Sequence, residues 1–126
     1  MHDERAVQEV LAHYVRATDR RDGAAQGALF TDDADVRIFQ KTGPDRYEPV
    51  GEPLVGGAGV RYAVENFMAP HPEGGSSHHV TADHLITVDG DTAHLNAQTE
   101  LRRIGGAWKI VRHHALGDLP MRVTQP

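Results

Sequence analysis

The chain has 126 residues, no cysteine and a formal net charge of -5. This length is typical of one domain with a buried core, which we expect to span residues 1–126. The lack of cysteine excludes disulfides, thiolate metal sites and cysteine nucleophiles. The basic residues are scattered, and no apolar run approaches the roughly 20 residues that span a bilayer, so we expect neither a nucleic acid nor a membrane as partner. The charged N-terminus has no apolar signal core, and we therefore expect a cytoplasmic location.

Three segments have the spacing or the boundary residues of helices. Residues 4–18 predict a long first helix, because their apolar side chains recur at steps of three and four. The residues on this face are Val7, Val10, Leu11, Tyr14 and Thr18. Asp22 is placed to cap a short second helix over residues 24–30, since its carboxylate can accept from free amide groups. Residues 58–68 return to helical spacing and predict a third helix.

The remaining segments are typical of strands and turns. Residues 34–39 predict a strand, and residues 40–57, rich in glycine and proline, predict a hairpin or long loop with one weak strand. Farther along, we predict in chain order a strand from residue 79, a turn at Asp89-Gly90-Asp91, a long strand over residues 92–103, a turn at Gly105-Gly106 and a return strand from Trp108.

This order of elements predicts an α+β domain. We expect a cone-shaped, curved antiparallel β-sheet wrapped around the long N-terminal helix, with two further helices on the same face. The open end of such a cone is suited to a small apolar molecule, which is the ligand that we expect. Alternation along the long predicted strand separates a polar face from an apolar one. The polar face carries His94, Asn96, Gln98, Glu100 and Arg102, and the other carries Ala93, Leu95, Ala97, Thr99 and Leu101.

Tyr14, Asp19 and His79 are the residues that suggest chemistry. A carboxylate that meets an imidazole in an apolar cavity fixes the tautomer of the ring and raises its basicity, as proton abstraction from carbon requires. Each residue also has a structural alternative: Asp19 pairs with an arginine or with solvent, His79 is a surface histidine, and Tyr14 is a core residue. Asp19 lies about 140° around the helix from Tyr14, so both face one pocket only if the helix tightens or ends there.

Four pieces of the sequence occur in the order and spacing of a known superfamily. They are Tyr14-x-x-x-x-Asp19 with Arg20-Arg21-Asp22, the run Leu29-Phe30-Thr31-Asp32-Asp33-Ala34, His79 leading to Val88-Asp89-Gly90-Asp91-Thr92-Ala93, and Gly106-Ala107-Trp108-Lys109-Ile110. Together they resemble the SnoaL-like branch of the nuclear transport factor 2-like superfamily, over nearly the whole chain. The resemblance implies the cystatin-like fold of that superfamily. This fold hosts several different activities.

The resemblance also implies roles for three residues. Asp19 and His79 are similar to the aspartate and histidine of the proton-abstracting dyad in scytalone dehydratase and bile-acid 7α-dehydratase, and Tyr14 is similar to a tyrosine of the latter. These roles make His79 the general base, Asp19 its orienting partner and Tyr14 the donor to the oxygen that gains charge or leaves. Because dimers of this superfamily often pack through the convex face of the sheet, we expect a homodimer that covers the polar face.

Other residues are expected to contact the substrate or to replace the base. Arg112, two residues past Ile110, is expected to bind an anionic or carbonyl group, with a salt bridge at the sheet edge as the alternative. The other expected substrate contacts are Gln98, Phe39 and Val64. The reserve bases are Glu100 and Asp83, the latter standing where relatives often have asparagine.

We expect no metal and no cofactor. The histidine pairs His78-His79 and His113-His114 would point to opposite faces of a strand, so neither forms a two-ligand clamp. The glycine-rich run Gly56-Gly57-Ala58-Gly59 lacks the lysine and the spacing of a phosphate-binding loop.

The sequence therefore predicts cofactor-independent proton abstraction from carbon in a small apolar substrate of polycyclic or polyketide-like type. A dehydratase is the leading reaction. The alternatives are an isomerase or polyketide cyclase that uses the same pocket, and a non-catalytic module for small-ligand binding or dimerisation.

Overall fold

The computed structural model describes residues 2–68, 71–75, 85–95 and 98–117. Within these ranges the chain forms three helices and seven strands. The helices are α1 (Asp3–Arg20), α2 (Gly23–Gly27) and α3 (Gly56–Asn66). The strands are β1 (Phe30–Gly43), β2 (Arg46–Pro49), β3 (Leu54–Val55), β4 (Ile86–Asp89), β5 (Thr92–Leu95), β6 (Thr99–Ile104) and β7 (Ala107–Gly117).

The first helix forms where the apolar spacing predicts it. Val7 and Val10 are buried on the face that packs toward the sheet. α1 ends when Arg21 adopts a left-handed backbone with φ of 57°. The amides of Arg21 and Asp22 then bond back to the carbonyls of Thr18 at 3.1 Å and Ala17 at 2.9 Å, which satisfies carbonyl groups of the last turn.

The short second helix is fixed by a cap and by a close helix contact. Asp22 caps α2 as predicted, because its Oδ1 accepts from the amide of Ala25 at 3.0 Å. A Cβ atom at Gly27 would lie 2.5 Å from the carbonyl oxygen of Gly57. Glycine at this position therefore allows α2 to pack directly on the start of α3.

The strands form one sheet in the order β2-β1-β7-β6-β5-β4, with β3 also paired to β1. The predicted α+β class, with a curved sheet and an N-terminal helix, is confirmed. The sheet is mixed rather than entirely antiparallel, because β1 and β7 are parallel. Strands joined by a tight hairpin must be antiparallel. β1 and β7 are free of this constraint, because all the intervening elements connect them.

Both predicted tight turns of the C-terminal half are present. Gly90 has a φ of 61° between β4 and β5, and Gly105 and Gly106 have φ values of 58° and 82° between β6 and β7. A two-residue hairpin needs positive φ at its first central residue or at both, and glycine adopts it without strain.

The predicted long strand over residues 92–103 is wrong. This stretch forms two strands, β5 and β6, which pair antiparallel with Leu95 opposite Thr99 and Ala93 opposite Leu101. The same residues face the core in both arrangements, because a hairpin in this register preserves the alternation of faces. The sequence pattern therefore predicts the faces and does not distinguish one long strand from a short hairpin.

The hydrophobic core lies between α1 and one face of the sheet. Its buried members are Val7, Val10, Phe30, Ala34, Val36, Val60, Ala93, Leu95, Leu101, Trp108 and Ile110. Among the helices of the described ranges, none combines the length and the apolar character needed to cross a bilayer.

Candidate functional site

An extra residue in β7 decides which of its side chains reach the core. Ile110 pairs with Leu101, whereas Arg112 pairs with Glu100, so Val111 has no partner residue on β6. Such a bulge shifts the alternation of faces by one position. After it, His113 pairs with Thr99 and faces the core.

The side chain of His113 borders a small cavity between α1 and the sheet. The cavity is lined by Val7, Val10, Leu11, Tyr14, Leu95, Thr99, Leu101, Ile110 and His113. Its free volume is about 20 Å³, enough for about one water molecule. The lining is apolar apart from Tyr14, Thr99 and His113. This volume is much smaller than a substrate-sized ligand needs, so binding one requires the lining side chains to move.

The polar groups of the cavity contact one another. The rings of Tyr14 and His113 lie 5.1 Å apart between centroids, and Phe30 packs within 6.1 Å of Tyr14 and 6.4 Å of His113. The hydroxyl of Thr99 lies 2.8 Å from Nδ1 of His113. These contacts fix the imidazole by a hydrogen bond on one side and by aromatic rings on the other.

Burial moves the pKa values of both titratable groups toward their neutral forms. Burial lowers the pKa of His113 from 6.5 to about 4, and the neighbouring His114 makes a smaller contribution in the same direction. Burial raises the pKa of the Tyr14 phenol above 10.0, while a hydrogen bond with the Gln26 side chain lowers it in part. At neutral pH the cavity therefore holds a neutral imidazole and a neutral phenol. Two such groups in an apolar space can polarise an oxygen atom of a ligand.

The structure brings Tyr14 to the cavity but does not bring Asp19 there. α1 continues without a break to Arg20, so Asp19 lies on its last turn and outside the cavity lining. The backbone carbonyl of Asp19 lies 2.5 Å from Nε2 of His71, which ties the end of α1 to the segment after α3. The proposed partner His79 lies outside the described residues, so the Asp19–His79 dyad stays a prediction.

Two expected substrate contacts lie on the other face of the sheet. Arg112 faces away from the cavity, because the bulge at Val111 reverses the alternation of faces between Ile110 and Arg112. Phe39 lies on the same outer face, where its ring is 5.4 Å from that of His114. Neither residue lines the cavity, and we do not assign either to it.

The remaining predicted residues are also placed apart from the cavity. Gln98 is exposed just before β6, and Val64 is buried on α3 without lining the cavity. Glu100 lies on the outer face, where it contacts His94 at 3.2 Å and Arg102 at 3.5 Å. Asp83, the other reserve base, lies outside the described residues. Within the described ranges, no three histidine, aspartate or glutamate side chains are grouped to hold a metal ion.

His113 and Thr99 are the polar cavity residues that the sequence did not assign to the site. The sequence pattern could have indicated Thr99, because it is a polar residue on the predicted apolar face of its strand. The sequence pattern could not have indicated His113, because its orientation depends on a bulge that the pattern does not reveal.

Comparisons with known proteins agree with this fold. A family model described as a SnoaL-like domain matches residues 1–105. No curated protein gives a significant match.

Three similar solved structures come from Novosphingobium aromaticivorans. One is an NTF2-like protein with a cystatin-like fold. It is 18% identical to this chain with a TM-score of 0.66, and the match covers 90% of this chain and 80% of that protein's chain. A second, a proposed aromatic ring hydroxylase, is 25% identical with a TM-score of 0.66 and coverages of 94% and 90%. A third, a proposed scytalone dehydratase, is 17% identical with a TM-score of 0.64 and coverages of 89% and 81%.

Proposed function

This chain belongs to the SnoaL-like domain family, and we propose that it is a cofactor-independent enzyme that removes a proton from carbon in a small, largely apolar molecule. Elimination of water is the reaction that we propose. The family alone does not select it, because the fold hosts several chemistries. The proposal is carried by the pair Tyr14 and His113, whose rings lie 5.1 Å apart in a cavity whose other lining residues, apart from Thr99, are apolar.

Tyr14 and His113 supply hydrogen bonds to the oxygen of the ligand. Removal of a proton next to a carbonyl, and departure of a hydroxyl, both place negative charge on oxygen. A phenol and an imidazole in a small, mostly apolar cavity stabilise such charge more strongly than they would in solution. Tyr14 is the donor in this proposal, and His113 donates a second bond if Thr99 holds its Nδ1 as an acceptor.

His113 is poorly suited to take the proton itself. An imidazole whose conjugate acid has a pKa near 4 is a weak base at neutral pH. The proton acceptor that we propose is therefore His79, with Asp19 as its partner, as the family resemblance implies. Asp19 is close to the C-terminal end of α1, where the helix dipole disfavours a negative charge, so a protonated imidazole beside it would be stabilising.

The atoms of the proposed step balance without a further reactant. His79 takes the proton from carbon, the electrons of that bond form the alkene, and the bond from the neighbouring carbon to its hydroxyl oxygen breaks. Tyr14 and His113 stabilise the departing oxygen by hydrogen bonds. The oxygen leaves as water with the proton that His79 had taken, which restores the base.

Solvent deuterium exchange tests the proposal across a whole class of substrates. A panel of apolar β-hydroxy ketones is incubated with the protein in D₂O, and proton NMR follows both the loss of the carbon-bound proton and the growth of alkene. We expect at least one member to exchange and eliminate. His79→Ala should slow this by about 10² to 10⁴, the usual worth of a positioned base, and Asp19→Asn should slow it as well.

His13→Gln is the matched control, because His13 is exposed on α1, and it should turn over like the wild type. Deuterium exchange without formation of alkene would indicate an isomerase-type reaction at the same site instead of a dehydration. The proposal fails if no member of the panel exchanges above the buffer rate, or if His79→Ala matches the wild type. Ligand binding without exchange would instead support the non-catalytic module.

A further inference from the structure

Thr99 is a buried polar residue at the start of β6, on the wall of the cavity. It is 6% exposed and lies directly opposite His113 in the pairing of β6 with β7. Side chains that lie opposite each other on antiparallel strands are close enough for a short hydroxyl to reach its neighbour. Oγ1 of Thr99 lies 2.8 Å from Nδ1 of His113. The two side chains therefore form a direct hydrogen bond across the strands.

The sheet holds the backbone of both residues. On the sides away from each other, Thr99 is paired with β5 and His113 is paired with β1. Beside them, the amide of His114 donates to the carbonyl of Gln98 at 3.0 Å. Each residue therefore has a strand on both sides, and the sheet fixes the position of the hydrogen bond.

Two arrangements of protons fit this contact. The ring of His113 is neutral at pH 7 because its pKa is about 4, and a neutral imidazole has one N–H and one bare nitrogen. In the first arrangement the hydroxyl of Thr99 donates to Nδ1, and the ring proton is on Nε2. In the second, Nδ1–H donates to the hydroxyl oxygen and Nε2 is bare. The proton of the hydroxyl then needs another acceptor.

The surroundings of Thr99 favour the first arrangement. Nδ1 of His113 is the partner of the hydroxyl, and the described part of the chain offers it no second acceptor. The second arrangement would leave a buried O–H donor without a partner, which is costly. Nε2 is without a partner among the described residues in both arrangements, so the hydroxyl proton decides between them.

We propose that Thr99 is the positioning residue for His113: its hydroxyl donates to Nδ1 and fixes the ring in the tautomer that carries its proton on Nε2. Such a ring is a hydrogen-bond donor, suited to a carbonyl or hydroxyl oxygen of a ligand. This ligand part rests on the function proposed above. The tautomer rests on the contact between the two side chains and on their burial, and it is tested without a substrate.

Nitrogen-15 NMR of the histidine rings measures the tautomer directly, because protonated and bare ring nitrogens have well-separated chemical shifts. The chain has nine histidines, so the ring of His113 is assigned through its own backbone signals. We expect the wild-type spectrum at pH 7 to show a protonated Nε2 and a bare Nδ1. A proton on Nδ1 overturns the proposal, and this measurement needs no variant.

Removal of the hydroxyl tests whether Thr99 sets this tautomer. Thr99→Val should lower the ratio of the Nε2–H form to the Nδ1–H form by about fivefold, the effect of one ordinary hydrogen bond on an equilibrium. Thr99→Ser keeps a hydroxyl and should retain the wild-type ratio. Thr87→Val is the matched control, because Thr87 is an exposed residue opposite His94 in the pairing of β4 with β5. It should leave the ring signals of His113 unchanged.

Two results with the variants would contradict the positioning role. One is an unchanged ratio in a folded Thr99→Val protein. The other is a ratio that falls as far in Thr99→Ser as in Thr99→Val.

A second wild-type measurement follows the hydroxyl proton of Thr99, so the proposal can be tested even if Thr99→Val does not fold. A proton held by Nδ1 should exchange slowly with water and show a nuclear Overhauser effect to the ring proton on Cε1 of His113. Absence of this effect counts against the proposal. Because none of these measurements needs turnover, a failed search for activity leaves the tautomer standing. The opposite tautomer would leave His79 as the proposed base to its own test.

Discussion

His113 shows how the surroundings of one side chain set its charge. Its imidazole packs against the rings of Tyr14 and Phe30 and has a second histidine, His114, beside it in sequence. Both burial and the neighbouring charge disfavour protonation, and the pKa falls to about 4. The residue is therefore suited to hydrogen bonding as a neutral ring rather than to proton abstraction at neutral pH.

This depressed pKa predicts part of the pH dependence of stability. In the unfolded chain His113 binds a proton below a pKa near 6.5, whereas in the folded state it does so only below about 4. The unfolded state thus binds more protons between these values, so stability is lost as pH falls through them, by roughly 3 kcal/mol for this group. Urea denaturation at several pH values from 7 to 4 measures it.

The variant His113→Gln removes this titration. As the pH falls from 7 to 4, the free energy of unfolding of the wild type should decrease by about 3 kcal/mol more than that of the variant. His13→Gln is the control, because it removes a histidine at an exposed position of α1, away from the cavity. Parallel profiles for the wild type and His113→Gln would show that His113 titrates normally in the folded protein.

At the residue scale, the sequence predicted Tyr14 in the pocket and missed His113. Tyr14 follows from helical periodicity, which continues unbroken through α1. Regular alternation past Ile110 would place Arg112, rather than His113, on the same face as Ile110. A single bulged residue, Val111, reverses that alternation, and no local pattern marks it.

At the scale of elements, the sheet has one face in the core and one open face. A row of side chains across neighbouring strands of the open face joins His94, Glu100, Arg112 and Asp35 in register. The charges of Glu100, Arg112 and Asp35 alternate in sign along the row, and Glu100 also contacts Arg102 at 3.5 Å. Alternation in the sequence predicted this polar face, although it assigned β5 and β6 to one strand.

The open face carries the prediction of a homodimer. We expect light scattering to show a dimer at micromolar concentration, with this face covered by the second subunit. Glu100→Arg places a third positive charge beside Arg102 and Arg112, so it should weaken association and shift the protein toward monomer. Glu48→Arg, on the edge strand β2, is the control. A wild-type monomer, or a dimer unaffected by Glu100→Arg, would contradict the prediction.

At the scale of the whole molecule, the order of elements was enough to predict an α+β fold with a curved sheet on a long helix. The parallel pairing of β1 with β7 was not predicted, because the pattern of a strand does not identify its partner across many intervening residues. This pairing places Val36 beside His113 and completes the sheet across the core. The cavity results from this assembly, since α1 supplies Tyr14 and the distant strand β7 supplies His113.

The central claim is that chemistry takes place in the cavity at Tyr14. The most direct test compares the rate of solvent deuterium exchange into an accepted substrate for Tyr14→Phe and for Tyr62→Phe. Tyr62 is 58% exposed on α3 and serves as the matched control. Loss of one hydrogen bond to a charged oxygen should lower kcat of Tyr14→Phe by about 10- to 100-fold, with Tyr62→Phe at the wild-type rate. Equal rates for the two variants would contradict the claim that Tyr14 stabilises the reacting oxygen.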